Sequence, residues 1–302
     1  FVDRVEGRVR ELSRRDDSLA KKLISANLQD LFEASDSELL AELIRLCEKL
    51  QIKLGAKSLL VIAMSESQDL SARVQAIQSV QANKTQGASN QLAALLKSKH
   101  PEIQVAAVGK LSEIEPKTFA ARLEISWRTL SLPAQQTFLT QLGTATSARG
   151  DEILSDALAS LLGGELSKAL ELDVVTSAKA RQTPRLKRLV AQYESRQSAK
   201  DFAASYRSTL VGGQPAKGKL VYENHVAAQC VRCHNAGGKG KQVGPELGGI
   251  GKRVNKDYLL RSLIAPNSDI AEGFGVTVVE LINGEVLAGS IGDARHEGQL
   301  PY

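Results

Sequence analysis

The sequence predicts a mostly α protein: an α-solenoid of repeated helix pairs, followed by a smaller α-helical domain with a β-hairpin insertion. Three observations carry this expectation. The chain is 42% hydrophobic yet only 4% aromatic, and it is rich in Leu and Ala, the composition of a helical repeat with an aliphatic core. An internal repeat organises its first two-thirds. Strand signals appear only near the end, around Asn283-Gly284. A length of 302 residues accommodates two domains, expected at 1–195 and 205–302.

The repeat shows at an offset of 31 residues. It sets Asp69–Ile77 over His100–Val108, and both over Ser131–Leu139. Apolar residues stay in register at Ala72/Ile103/Ala134, Ile77/Val108/Leu139 and Val80/Leu111/Leu142. Pro101 and Pro133 open the second and third copies, where a helix tolerates proline because its missing N–H has no partner anyway. A second apolar-periodic run follows each copy, as in Asn90–Leu96 and Phe119–Ile125, and residues 38–49 resemble an earlier, degraded copy. Two helices per roughly 30–47 residues is the signature of a HEAT-like solenoid. An irregular helical bundle has similar periodicity. The solenoid offers extended surface for docking but no catalytic constellation.

Cys47 sits alone in the apolar run Leu43–Cys47 and reads as a small buried hydrophobe. The basic run Ala178–Arg188 lacks the interleaved aromatic residues that stack on bases, so no nucleic acid is expected as a partner. No stretch approaches the ~18 consecutive apolar residues of a membrane span. The boundary between domains is expected within 193–212, where Tyr193–Lys200 gives way to Val211-Gly212-Gly213-Gln214-Pro215.

Beyond it comes the segment that carries chemistry. Cys230-Val231-Arg232-Cys233-His234 spells C-x-x-C-H, the attachment signature of a c-type haem. Two thiols three positions apart in a helical turn can each add to one haem vinyl group, and the adjacent imidazole becomes the proximal iron ligand. Two rival readings exist. A redox dithiol wants a βαβ context, whereas the residues before Cys230 read as helix. A structural zinc site wants four ligands, and only His225 or His296 stands near enough in sequence to be the fourth. Residues 235–251 hold seven glycines, fitting either a flexible loop or backbone pressed against a flat porphyrin. A phosphate-binding loop is not supported, because Gly251-Lys252 lacks both the earlier glycine and a following Ser or Thr.

Ten residues after His234, Gly244-Pro245-Glu246-Leu247 resembles the G-P-x-L segment of class I cytochromes c. That resemblance implies that the Pro245 carbonyl holds the His234 Nδ1–H, fixing its tautomer and orientation. Gly218 and Tyr222, in Ala216–Glu223, resemble the glycine and aromatic of the first cytochrome helix, which cross the last helix of that fold. With Asn224–Gln229, Tyr258–Asn267 and the extended Phe274–Leu281, the order is similar to the haem-binding C-terminal domain of large planctomycete-type (PVC) CxxCH proteins. In that family the domain follows HEAT-type repeats and often an N-terminal β-propeller resembling sugar dehydrogenases. The resemblance is strong over 205–292, weaker over 37–195, and absent for a propeller.

The resemblance implies one covalent haem c held by Cys230, Cys233 and His234, with Gly244, Pro245 and Leu247 lining the proximal side. It also implies a distal methionine late in the domain. The single methionine is Met64, far upstream. The expectation is therefore that the chain ends before its distal ligand, as part of a longer precursor that begins before Phe1. His296, with His225 behind it, is the alternative distal iron ligand, and an open iron site is a third. The expected function is mono-haem, one-electron relay between a dehydrogenase-type partner or module and an acceptor, outside the cytoplasm in the periplasm or an equivalent compartment. The chain itself is expected to be non-catalytic. A five-coordinate haem with ligand-binding or peroxide activity is the first alternative, and a solenoid scaffold carrying a haem relay is the second.

Net charge is +5, concentrated near the motif: residues 200–261 hold eleven Lys/Arg against four Asp/Glu. Lys217, Lys219, Lys239, Lys241, Lys252, Arg253 and Lys256 are expected to steer an acidic redox partner; a generally basic surface is the plainer account. Lastly, Val276–Ile282, Asn283-Gly284 and Glu285–Ile291 predict a hairpin with a two-residue turn.

Overall fold

The computed structural model describes residues 16–81, 87–145, 147–196, 203–241 and 243–289. Among them the chain is mostly helical, with two small antiparallel two-stranded sheets. They form two compact units. One takes the described residues up to Ala159 together with Asp173–Lys187, and the other takes Ser160–Leu172 and the described residues from Arg188 onward. The boundary segment expected at 193–212 includes residues 197–202, which lie outside the described residues.

The first unit opens with α1 (Ser18–Ala26), α2 (Leu28–Ala34), α3 (Ser37–Lys49), α4 (Ala56–Met64), α5 (Leu70–Ser79) and α6 (Ala88–Leu95). It continues through α7 (Pro101–Ile114), α8 (Phe119–Leu123), α9 (Leu132–Thr144) and α10 (Ala148–Gly163). Helix α11 (Glu171–Ala180) follows, and α12 (Pro184–Ser195) starts here but belongs to the second unit from Arg188 onward. Local chemistry explains several starts. Asp36 accepts from the Leu39 N–H at 2.8 Å and caps α3, satisfying a donor that the first helical turn leaves unpaired. Proline stands in the first turn of α7 and of α9.

Packing follows the apolar periodicity. Helices α3, α5, α7 and α9 pack in sequence, α4 packs on α5 and α6, and α6 packs on α7. All nine positions of the repeat register, from Ala72/Ile103/Ala134 to Val80/Leu111/Leu142, are buried. Cys47 is buried too, and burial pushes its thiol up from its ordinary value. Three aromatic residues cluster, the Phe138 ring lying 5.3 Å from Phe119 and 5.8 Å from Trp127 between centroids.

The second unit is built differently. It contains 3-10 turns at Lys168–Leu170 and Ala204–Leu210, then α13 (Pro215–Asn224), a 3-10 turn at Cys230–Arg232, and a ribbon of β1 (Asn235–Ala236) and β2 (Lys239–Gly240). Helices α14 (Ile250–Arg253) and α15 (Lys256–Ile264) and the hairpin β3 (Thr277–Glu280) and β4 (Val286–Gly289) complete it. Asn255 caps α15 by accepting from the Tyr258 N–H at 2.8 Å. Beyond Val211, Leu260 is the one buried residue among those described.

The hairpin corrects one expectation. Leu281 O accepts from the Gly284 N–H and the Leu281 N–H reaches Glu285 O, both at 2.8 Å, so the loop has three residues, Ile282-Asn283-Gly284. A two-residue type I′ turn needs φ > 0 at both central positions. Here Gly284 has φ +83°, while Asn283 is not in the left-handed region. The result is a type I turn closed by a glycine bulge. The second strand is described as far as Gly289, and residues 290–302 lie outside the described residues.

Candidate functional site

The site grows from the end of α13. The chain leaves that helix at His225 and turns sharply through Gln229, whose φ of +46° and ψ of +37° are unusual for a side chain with a Cβ. The turn Cys230–Arg232 follows, closed by Cys233 N–H and His234 N–H donating to Cys230 O at 3.2 and 3.0 Å. The Gln229 side chain ties it down from outside by accepting from Arg232 at 2.6 Å. Neither cysteine is in a disulfide; Cys230 is half-buried and Cys233 exposed.

The ribbon β1–β2 then folds the chain back. Its pairing of Ala236 with Lys239 leaves Gly237-Gly238 as a two-residue turn, with φ of +62° and +84°, as the type I′ geometry requires. Gly240 is needed for a different reason. At φ +116°, a Cβ there would lie 1.9 Å from His234 O. Two of the functions of this glycine-rich stretch are thus a tight reversal and a close approach to the motif itself.

The segment 244–247 runs back alongside the motif. Gly244 N–H donates to Cys233 O at 2.6 Å, and Leu247 N–H donates to Asn235 O at 2.8 Å. His234 Nδ1 lies 2.8 Å from Pro245 O. A carbonyl can only accept, so Nδ1 carries the proton and the neutral ring keeps its lone pair on Nε2. Gly244 makes this possible, because a Cβ at that position would stand 2.8 Å from His234 Cε1 and 3.0 Å from Nδ1. Cys230, Cys233, His234, Gly244, Pro245 and Leu247 are all brought together in this way.

The remaining candidates stand apart. His296 lies outside the described residues. His225 Nδ1 accepts from the Ala228 N–H at 3.1 Å, which places its proton on Nε2. Met64 ends α4 in the first unit. A contact that sequence reasoning missed is Tyr222, whose hydroxyl donates to His234 O at 2.8 Å. Burial and then the charges of Cys230, Glu246 and Glu223 push its phenol up.

The basic residues near the motif are partly engaged. Lys239 and Lys219 lie 3.1 and 4.0 Å from Glu223. Lys256 donates to Leu210 O at 3.0 Å, and Arg253 donates to Glu246 O at 2.6 Å.

Chemically, the cluster offers two accessible thiols and one imidazole with a fixed tautomer and an available Nε2. Leu220, Val226 and Val243 add exposed apolar surface on the neighbouring segments. These residues fit a covalently attached haem, which asks the protein for two thiols, one axial nitrogen and apolar contact. They do not fit a four-ligand zinc site, since three or more His, Cys, Asp or Glu side chains nowhere converge among the described residues. No helix among the described residues is long and apolar enough to cross a membrane. No family model, curated protein or solved structure matches the chain.

Proposed function

We propose that this chain is a mono-haem c-type cytochrome that relays single electrons, built as a HEAT-like solenoid followed by a class I-like cytochrome c domain. The observation that carries the reading is the 2.8 Å bond between His234 Nδ1 and the Pro245 carbonyl, made by the histidine of a C-x-x-C-H motif. A metal-bound imidazole needs its second nitrogen held in this manner, because the bond sets tautomer and orientation and raises the basicity of the ligand.

When bound, the haem supplies a one-electron iron couple. The residues of the chain do the rest. The Cys230 and Cys233 thiols anchor the group, and His234 Nε2 ligates its iron. Pro245 keeps the proton on Nδ1, and Gly244 leaves room for the ring. Leu247 adds apolar contact on the proximal side. His296, with His225 behind it, would be the candidate for a second iron ligand, and an open iron site is the alternative.

The partners that suit this reading are an acidic redox protein, or a dehydrogenase-type module in the same or an associated polypeptide. Lys217, Lys241 and Lys252 supply charge for the encounter, and the helical-repeat unit supplies surface. Covalent haem attachment belongs to the periplasm or another extracytoplasmic compartment, so that is the proposed location.

The test is production in a host competent in cytochrome c maturation. The expected outcome is haem that stays with the polypeptide through denaturing electrophoresis and is lost in the double variant Cys230→Ala/Cys233→Ala. A chain that carries no haem, or haem that acidic solvent extracts, overturns the proposal.

A further inference from the structure

We infer that Tyr222 is a positioning residue for His234: its hydroxyl, donating to the His234 carbonyl at 2.8 Å, holds the backbone of the ligand while Pro245 holds its ring. The inference rests on the haem reading of the site. It assigns Tyr222 a task different from helix crossing, the one that the resemblance to the first cytochrome helix implied.

Two observations lead there. First, the two anchors act on opposite ends of one residue. A bond at Nδ1 alone leaves the imidazole free to swing as its backbone shifts, whereas a second bond at the carbonyl removes that freedom. Second, Gly240 also crowds the carbonyl: a Cβ there would come within 1.9 Å of the oxygen, so no larger residue than glycine fits.

The consequence is electronic as well as structural. The Nδ1–H···O bond makes the imidazole a stronger donor. Loosening the His234 backbone weakens that bond and hence the preference of the iron for its ferric state. Losing this restraint should change the exposure of the Nδ1 proton to exchange several-fold.

The experiment compares the wild-type chain with Tyr222→Phe, which keeps the ring and removes only the hydroxyl. The expected result is unchanged haem content per chain, a more positive reduction midpoint, altered electron paramagnetic resonance g-values in the oxidised form, and faster exchange of the His234 Nδ1–H by NMR. Gly240→Ala would push on the same carbonyl, and it should alter the same signals in the same direction. A Tyr222→Phe protein with wild-type midpoint, g-values and Nδ1–H exchange overturns the inference while leaving the haem reading intact. If the wild-type chain carries no haem, the parent proposal fails. The Nδ1–H exchange then still decides whether Tyr222 positions His234.

Discussion

Gly244 packs so closely on the His234 ring that a single methyl decides the site. In Gly244→Ala, the new Cβ would approach the ring at 2.8 Å, well inside van der Waals contact, and the imidazole must swing away from Pro245 O. Both thiols are untouched, so on the haem reading the expected product keeps its covalent haem while its visible absorption spectrum departs from that of the wild type. An unchanged spectrum would contradict this geometry. Gly212 has a comparable role in the second unit. Its φ is +79°, and a Cβ would fall 1.9 Å from Ala169 O. Gly212→Ala adds a backbone penalty of about 1 kcal/mol to that overlap, and its thermal midpoint should drop by several degrees in a melting experiment. Both glycines are plain in the sequence, but their need is not. Each is imposed by an atom that only folding brings near.

At the scale of elements, polar clamps recur between alternate helices of the first unit. Arg45 reaches Gln75, Arg122 reaches Asn90, Arg149 reaches Glu124, and Arg185 reaches Asp156. Their partners lie between 25 and 32 residues apart, close to the offset of the apolar repeat. The pair Arg181–Asp151 is the most protected, with side chains 14% and 18% exposed, and Arg181 also bonds Ala145 O. Asp151→Ala leaves that guanidinium short of an acceptor and should cost about 2 kcal/mol of stability, readable as a lower denaturant midpoint. Glu115 has a pH signature. Burial alone would raise its carboxyl, but hydrogen bonds from Arg122 and Ser89 and the charge of Arg122 hold it below the ordinary value of 4.5. A depressed carboxylate stabilises the fold above that value and loses its contribution as pH falls through the lower, folded one. Glu115→Gln should therefore lose less stability than the wild type when the pH is taken from neutral to below 4.5, as measured by urea unfolding at each pH.

For the molecule as a whole, the two units differ in how they bury apolar surface. The first has a continuous aliphatic core; the second, beyond Val211, exposes Leu220, Val226, Leu263, Val278 and Ile282 among others. A two-stranded hairpin is marginal by itself in water. Charge acts at the same scale. Glu223 pairs with Lys239 and lies near Lys219, so Glu223→Gln should increase the net positive charge beside the motif. With an acidic redox partner, the variant should react faster at low salt and show a steeper fall in rate as ionic strength rises. Equal salt slopes for the two proteins would mean that this surface plays no part in the encounter.

The sequence by itself determined what local chemistry controls. The spacing of Ala72, Ile103 and Ala134 selected the buried helical faces, the prolines of α7 and α9 marked helix starts, and the resemblance around Gly244-Pro245 pointed to the carbonyl partner eleven residues after His234. Those signals depend on neighbours along the chain, where period and spacing carry the information. Only the tertiary structure decided the grip of Tyr222 on the His234 carbonyl, the pairing of Glu223 with Lys239, and the glycines demanded by Ala169 and His234. Each of these depends on how distant backbones approach one another. Excluded volume and hydrogen-bond geometry act at that range through space, and no periodicity in the sequence records them.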